Sequence, residues 1–392
     1  MLISGKWSSA HRILLLAHNL IGKNTNMASI SQLYSSLPDQ ELPAKQVTEY
    51  VKFAQNDAFF YLAAAKNARI STLKTYFSQN PLRKIYLSAN LGGFECAVEG
   101  LEVAILEKNY FVEPDTVRRT AKKTQLEGCI VIVNNNDAGT PESRAAYAEF
   151  FEECPATCFI IWDWDNHHWL ELSTFLAAHS DIYAPSHHEN LYLLSRYNWL
   201  IGGPVYCSSV QWPRKFLAAH LPEIVAAERS SAPLGMHIPY AQFSFRIRVI
   251  STLSQYYPSI GFINRSYHAR TPEDRLKEWC SHKTHWISPV LNDVPIRIFD
   301  ALVTGGIPIV PDSLRFLPPV NAIPREFIAF YSPADIVNPM ALVEQANRLF
   351  DEGGRKGIES RHHLALQHYH GDASVRQMLG FAAETLGIRK TW

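Results

Sequence analysis

The sequence predicts an α/β protein in two halves, each built on a parallel, doubly wound sheet, with extra helices at the N-terminus. From Lys84 onward, short apolar runs alternate with helical segments, and strands separated by crossovers of that length imply parallel pairing. The stretch Ala226 to Pro233, AAERSSAP, interrupts the alternation with small and polar residues closed by a proline, and a second alternation starts beyond it. At 392 residues the chain exceeds what one hydrophobic core usually supports, so two domains of roughly 150 to 230 residues are expected.

The elements follow in order. An apolar run around Arg12 to Ile21, then Val47 to Asn67 and Ile70 to Phe77, read as helices, and Pro81 ends that section. Strands are expected at Lys84 to Ala89, Cys129 to Val133, Cys158 to Trp162, Asp181 to Ala184 and Pro204 to Cys207, and a helix runs through Ala104. Past the linker come a helix over Phe243 to Tyr256, a strand over Ile260 to Asn264, a helix over Pro272 to Cys280 and a last helix over about Ala373 to Leu386. The domains are therefore a helical region over 1–80, an α/β domain over 81–230 and a second over 231–392.

Composition narrows the function. Lys+Arg and Asp+Glu both number 37, so no global field draws the chain to nucleic acid or an anionic membrane, and charge recognition must be local. Six cysteines, Cys96, Cys129, Cys154, Cys158, Cys207 and Cys280, lie in apolar stretches without CxxC spacing. They read as buried thiols of a reducing compartment. The run Ile13 to Leu16 is too short to span a membrane and no cleavage site follows it, so a cytoplasmic protein is expected.

Ligands of open parallel sheets bind at the carboxyl ends of the strands. The first such end, Ser88 to Glu95, carries Gly92 and Gly93, which permit close backbone approach and place the Glu95 carboxylate at a helix start. The second is Asp163-Trp164-Asp165-Asn166-His167-His168. Strand alternation points Asp163 and Asp165 the same way, a like-charge pair in which one pKa rises, suited to acid, base or nucleophile work. Asp165, nearer the loop tip, is the stronger choice. His187-His188-Glu189 ends the next strand, facing an acceptor or opening a helix. His362, His363, His368 and His370 read as a surface feature.

In the second half, NDVPIRIFDALVTGGIPIVPDS runs from Asn292 to Ser313: a polar loop, an amphipathic helix with Arg297 and Asp300 on one face, two glycines and a buried strand. This string resembles the nucleotide-sugar motif of GT-B glycosyltransferases, and the glycine-bearing loop at Gly92-Gly93 resembles their N-terminal domain. The paired glutamates of retaining members fall on Asn292 and Asp300, so the chain departs from the pattern at both. The resemblance implies two Rossmann-like domains facing across a cleft, with the last helix packing back on the first. It implies donor contacts from His237, Arg265, Arg297, Asp300, Gly305, Gly306 and Ser313, and acceptor contacts from Gly92, Gly93, His167, His187 and His188. Catalysis falls to Asp165, Asp163 or Glu95.

No metal or other cofactor is implied, since fixed cations and helix N-termini neutralise the phosphates. The partners implied are a nucleotide sugar and a glycan or glycolipid acceptor, as in bacterial capsule or lipopolysaccharide synthesis, including enzymes with CMP-activated acidic sugars such as Kdo. Such an acceptor would hold the protein at the cytoplasmic face of the inner membrane. Three rivals remain: a GT-B-fold epimerase, a glycan-binding protein, and a metal-dependent GT-A enzyme, whose DxD is spelled by Asp163-Trp164-Asp165.

Overall fold

A computed structural model describes residue 35 and residues 41–91, 103–240, 242–263, 270–291 and 293–389. The chain divides into two compact units, Met1–Asp57 and Ala58–Trp392. The first contributes helix α1 (Glu41–Ala54); the expected helix around Arg12 lies outside the described residues. Helix α2 (Ala58–Gln79) opens the second unit. Helix Val47 to Asn67 was not one element: the chain breaks at 55–57 and then continues unbroken past Ile70. Lys66, Ile70, Leu73 and Phe77, spaced four, three and four apart, form the buried face of α2. Arg69 fixes its register by donating to both carboxylate oxygens of Asp181, at 2.6 and 3.3 Å.

The first sheet comprises β1 (Lys84–Leu87), β2 (Val103–Ile105), β3 (Cys129–Asn134), β4 (Cys158–Asp163) and β5 (Ile182–Pro185), with helices α3 (Thr116–Leu126), α4 (Pro141–Glu153), α5 (Leu170–Ala178) and α6 (Leu191–Leu194) between or after the strands. All strands pair in parallel, in the order β2-β1-β3-β4-β5. Ile130, Ile132, Ile160 and Trp162 face one core, while Val131, Val133, Phe159 and Ile161 face the other. Burial on both faces explains why these strands are continuous apolar runs. Ala104 sits in β2, not in a helix, and residues 204–207 form no strand.

Helices α7 (Arg214–Ala219) and α8 (Leu221–Ala226) lead to the second half. It contains β6 (Gly235–His237), α9 (Ser244–Tyr256), β7 (Ile260–Phe262), α10 (Pro272–Cys280), β8 (Thr284–Trp286), α11 (Ile296–Val303), β9 (Ile307–Pro311), β10 (Ala329–Tyr331), α12 (Pro333–Val337) and α13 (Met340–His368). The parallel pair β7-β6 joins the parallel trio β8-β9-β10 through Leu234, which donates to Thr284 and accepts from Trp286 at 2.9 and 2.7 Å. The strand order therefore repeats that of the first sheet. The fold is α/β with parallel sheets in both halves, compatible with Rossmann-like units.

The chain changes cores earlier than the linker-like composition suggests. Trp212, Leu217 and Ile224 already belong to the second core, so Ala226 to Pro233 follows a helix of that core instead of joining two domains. The crossing lies near Ser208–Gln211. The last helix, α14 (Gly371–Leu386), crosses back: Val375, Met378, Leu379, Ala382, Ala383 and Leu386 pack with Ile85, Ile132 and Trp162 in the first core. The two crossings are bonded to each other, the Ser209 N–H to the Tyr369 carbonyl at 2.9 Å and the Gly371 N–H to the Ser209 carbonyl at 3.1 Å. No helix among the described residues is long and apolar enough to cross a membrane.

Leu379→Ala removes a fully buried side chain from the returning helix and should lower stability by about 2–5 kcal/mol. Urea denaturation measures this; a loss below about 0.5 kcal/mol, the level of a neutral surface change, would mean that α14 is not docked there.

Candidate functional site

Parallel strands with returning helices put the loops after several strands of both sheets around one cavity of about 700 Å³, which opens between the halves. The segments after β3, β4 and β5 supply Asn136, Trp164, Asp165, His167, His168 and His187; those after β6, β7 and β8 supply Ile238, Tyr240, Ile263, Val290 and Asp293. Arg275 of α10, with Arg297 and Asp300 of α11, completes the wall. The N-terminus of α11, which no side chain caps, opens on this space at Pro295, Ile296 and Arg297. Oriented N–H groups and two guanidiniums make that wall anion-seeking.

The loop after β4 is held by amides. Asn135 accepts from the Trp164 N–H at 3.0 Å and donates to Asp165 Oδ2 at 2.7 Å. Asn166 is fully buried, donates to the His187 and Glu189 carbonyls and accepts from the His187 N–H, each at 2.9 Å. This clamp sets His187 beside His167, with ring centroids 4.2 Å apart.

Asp163 and Asp165 do not act as a matched pair. Asp163 is buried, accepts from the Tyr183 hydroxyl at 2.6 Å and from the Asp165 N–H at 3.0 Å, and is absent from the cavity wall. Burial pushes its carboxyl up to about 6, with the charge of Asp165 a smaller contribution. It positions the loop, and its carboxylate is turned into the protein, so Asp163 and Asp165 do not face the cavity together as a DxD pair. Asp165 faces the cavity, where His168 Nε2 lies 3.6 Å from its Oδ1.

His167 and His187 are neutral. Burial, with the neighbouring imidazoles, holds His167 down to about 2, and burial holds His187 down to about 4. Asp293, which sequence reasoning passed over in favour of Asn292, is buried in the same wall, and burial raises its carboxyl to about 7. Donor atoms of His167, His187 and Asp293 lie within 4.8 Å of one another. A carboxylate on the loop between a strand end and α11 was the available signal. Arg275, mid-helix and half-buried, gave none. His188 is more exposed, lies beside Glu189 at 3.6 Å and does not line the cavity.

Several expected donor contacts are corrected. His237 is fully buried: Nδ1 donates to the Gly261 carbonyl at 3.3 Å and Nε2 accepts from the Ser288 N–H at 3.1 Å. Strand alternation aims Met236 and Ile238 at the cavity and His237 away from it. Asp300 lines the cavity, but its oxygens accept from Ser209 at 2.8 Å and Gln211 at 2.6 Å.

Gly305 and Gly306 lie at the C-terminal end of α11 and the start of β9, the opposite end of the sheet. Gly305 has φ +75°, and an added Cβ would meet Ile358; at Gly306 it would meet the His285 ring. They serve close packing, not phosphate approach. Ser313 is exposed outside the cavity. The C-terminal histidines are not a surface feature as a set: His362 and His370 are buried, bonded to the Val303 and Trp212 carbonyls at 2.5 and 2.9 Å. Glu95, Gly92, Gly93, Arg265 and Asn292 lie outside the described residues, as does Cys96; the five described cysteines are free thiols.

No protein-family model and no curated protein sequence matches the chain.

Burial pushes the Asp300 carboxyl up to about 6 from an ordinary 3.8. The fold therefore holds the protonated form more tightly, so the contribution of this group is greatest below its unfolded pKa and is lost as pH rises through its folded one. Asn at this position has no charge to bury. Unfolding free energy of the wild type, relative to Asp300→Asn, should fall by on the order of 2–3 kcal/mol between about pH 4 and about pH 7. Chemical denaturation of both proteins across that range measures it, and a pH-independent difference would refute it.

Proposed function

We propose that the protein is a GT-B-type glycosyltransferase that moves a sugar from a nucleotide-activated donor to a glycan acceptor. The observation that carries this reading is the cavity between the carboxyl ends of two parallel sheets of equal strand order, acid–base groups on one wall and cations on the other. The return of α14 to the first core fits the same architecture. Asp165 is the catalytic carboxylate in this scheme, with His168 beside it at 3.6 Å, and Asp163 fixes the loop that carries it. Arg275, Arg297 and the N-terminus of α11 stabilise the leaving phosphate by fixed charge and oriented N–H groups. The first half takes the acceptor and the second the donor, a division that rests on the GT-B resemblance. So does the acceptor class, a bacterial surface polysaccharide, and a CMP-activated acidic sugar as one donor.

A thermal-shift series with CMP, UDP, GDP, ADP and TDP tests the donor site, because a ligand that binds only the folded state raises the midpoint. One nucleotide should do so, and the shift should shrink in Arg297→Ala. With that nucleotide sugar, Asp165→Asn should lower turnover by on the order of a hundredfold while nucleotide binding persists. Failure of every nucleotide to shift the midpoint, or full activity in Asp165→Asn, would sink the reading.

A further inference from the structure

The side of the cavity formed by His167, His187 and Asp293 holds three donor atoms that the fold leaves without protein partners. His187 is 3% exposed, and its Nδ1 is buried with no hydrogen bond; Asp293 is 8% exposed, and its Oδ1 is equally unmatched. His167 Nδ1 is the third. Orphaned buried polar atoms are rare, and three residues that each carry one and that bring possible ligand atoms within 4.8 Å of one another call for a common ligand.

One hydrogen bond fixes the tautomer of His187. His187 Nε2 lies 3.1 Å from the Trp164 carbonyl, which only accepts, so Nε2 holds the proton and Nδ1 presents a lone pair. His167 Nε2 is bonded to His168 Nδ1 at 2.7 Å, while His167 Nδ1 has no protein partner. An imidazole whose far N–H is held by a carbonyl, as in His187, matches the outer-shell arrangement that orients histidines toward a metal. Glu189, with a buried unpartnered Oε2, acts on Asp293 by its negative charge, so the pocket concentrates carboxylates and neutral imidazoles.

We infer that His167, His187 and Asp293 form a binding site for one divalent transition-metal ion, bridging the two halves at the cleft. Two imidazole nitrogens and one carboxylate oxygen suit zinc, manganese, iron(II) or cobalt(II) better than the all-oxygen shells of calcium or magnesium. Ligands about 2.1 Å from one ion in a tetrahedral shell stand about 3.4 Å apart, so three groups within 4.8 Å of one another close by up to about 1.4 Å on binding. His167 and His187 come from the first half and Asp293 from the second, so the ion ties the cleft walls together. Its remaining positions open on the cavity, where a water or a phosphate oxygen completes the shell; the phosphate rests on the transferase reading, the ion does not. Such an ion departs from the metal-free chemistry implied by the GT-B resemblance.

The test uses the full chain, freed of metal with EDTA and desalted, then titrated with cobalt(II) while its visible absorption is followed, with zinc(II) as competitor. One equivalent should bind, and zinc(II) should displace it. His187→Ala, Asp293→Ala and His167→Ala should each weaken cobalt(II) binding by tenfold or more, whereas exposed His363→Ala should match the wild type. The ion should also raise the unfolding midpoint of the wild type and not that of the folded variants. His167, on a half-buried loop, is the variant least able to disturb the fold, so a misfolded His187→Ala does not leave the matter open. Absence of saturable binding, or equal affinity in wild type and His167→Ala, would overturn the site. Neither readout involves sugar transfer, so failure here is separable from failure of the transferase reading.

Discussion

The position of one half against the other depends on a buried carboxylate. Asp300, on the helix that borders the cavity, accepts from Ser209 and Gln211, the segment through which the chain leaves its first core. Ser209 also bonds the returning segment at Tyr369 and Gly371, and His370 reaches the Trp212 carbonyl at 2.9 Å. Both passages between cores are thus gathered at one point beside the cleft. Leaving a buried carboxylate without partners is strongly unfavourable, so Asp300 and the crossings constrain each other. The junction also borders the cavity, since Asp300 and Gln211 line it.

Around the cavity, amide side chains determine where the chemistry points. Asn135 and Asn166 have no net charge to desolvate, yet each satisfies both a donor and an acceptor on the next strand-end loop. They join the loops after β3, β4 and β5 into one surface and bring His167 to His187. Burial then keeps both imidazoles unprotonated, so the cluster presents lone pairs instead of positive charge. The opposite wall keeps its charge, with Arg275 and Arg297 half-buried at the rim. One cleft therefore holds a side of imidazoles and carboxylates and a cationic side, a separation that net composition does not reveal.

The architecture was legible where periodicity is strong. Strands β3 and β4 and helix α10 stand close to their expected bounds, because a doubly buried strand is an unbroken apolar run and a proline after a Thr cap opens a helix. Of the three-residue strands β2, β6, β7, β8 and β10, only β7 was expected, since so short a run carries no period and its pairing is set by neighbours distant in sequence. Composition also misplaced the boundary: Ala226 to Pro233 looks like a linker locally, but the core to which Trp212 and Ile224 belong is a property of packing. At the site, the concentration of polar residues at 163–168 marked the correct strand end, whereas the role of each depended on what lay opposite.

By itself the sequence determined the fold class, the two alternating series of strands and helices, and the strand end where polar groups collect, since these follow from local periodicity and from the direction of parallel strands. Only the tertiary structure decided which polar groups face the cavity. It turned Asp163 and His237 into the protein, gave Asp300 to the crossover, sent Gly305 and Gly306 to the far end of the sheet, and brought Asp293 to His167 and His187. The reason is that a side chain's chemistry depends on partners and burial, and these are set by contacts between residues far apart in the chain, which no local pattern encodes.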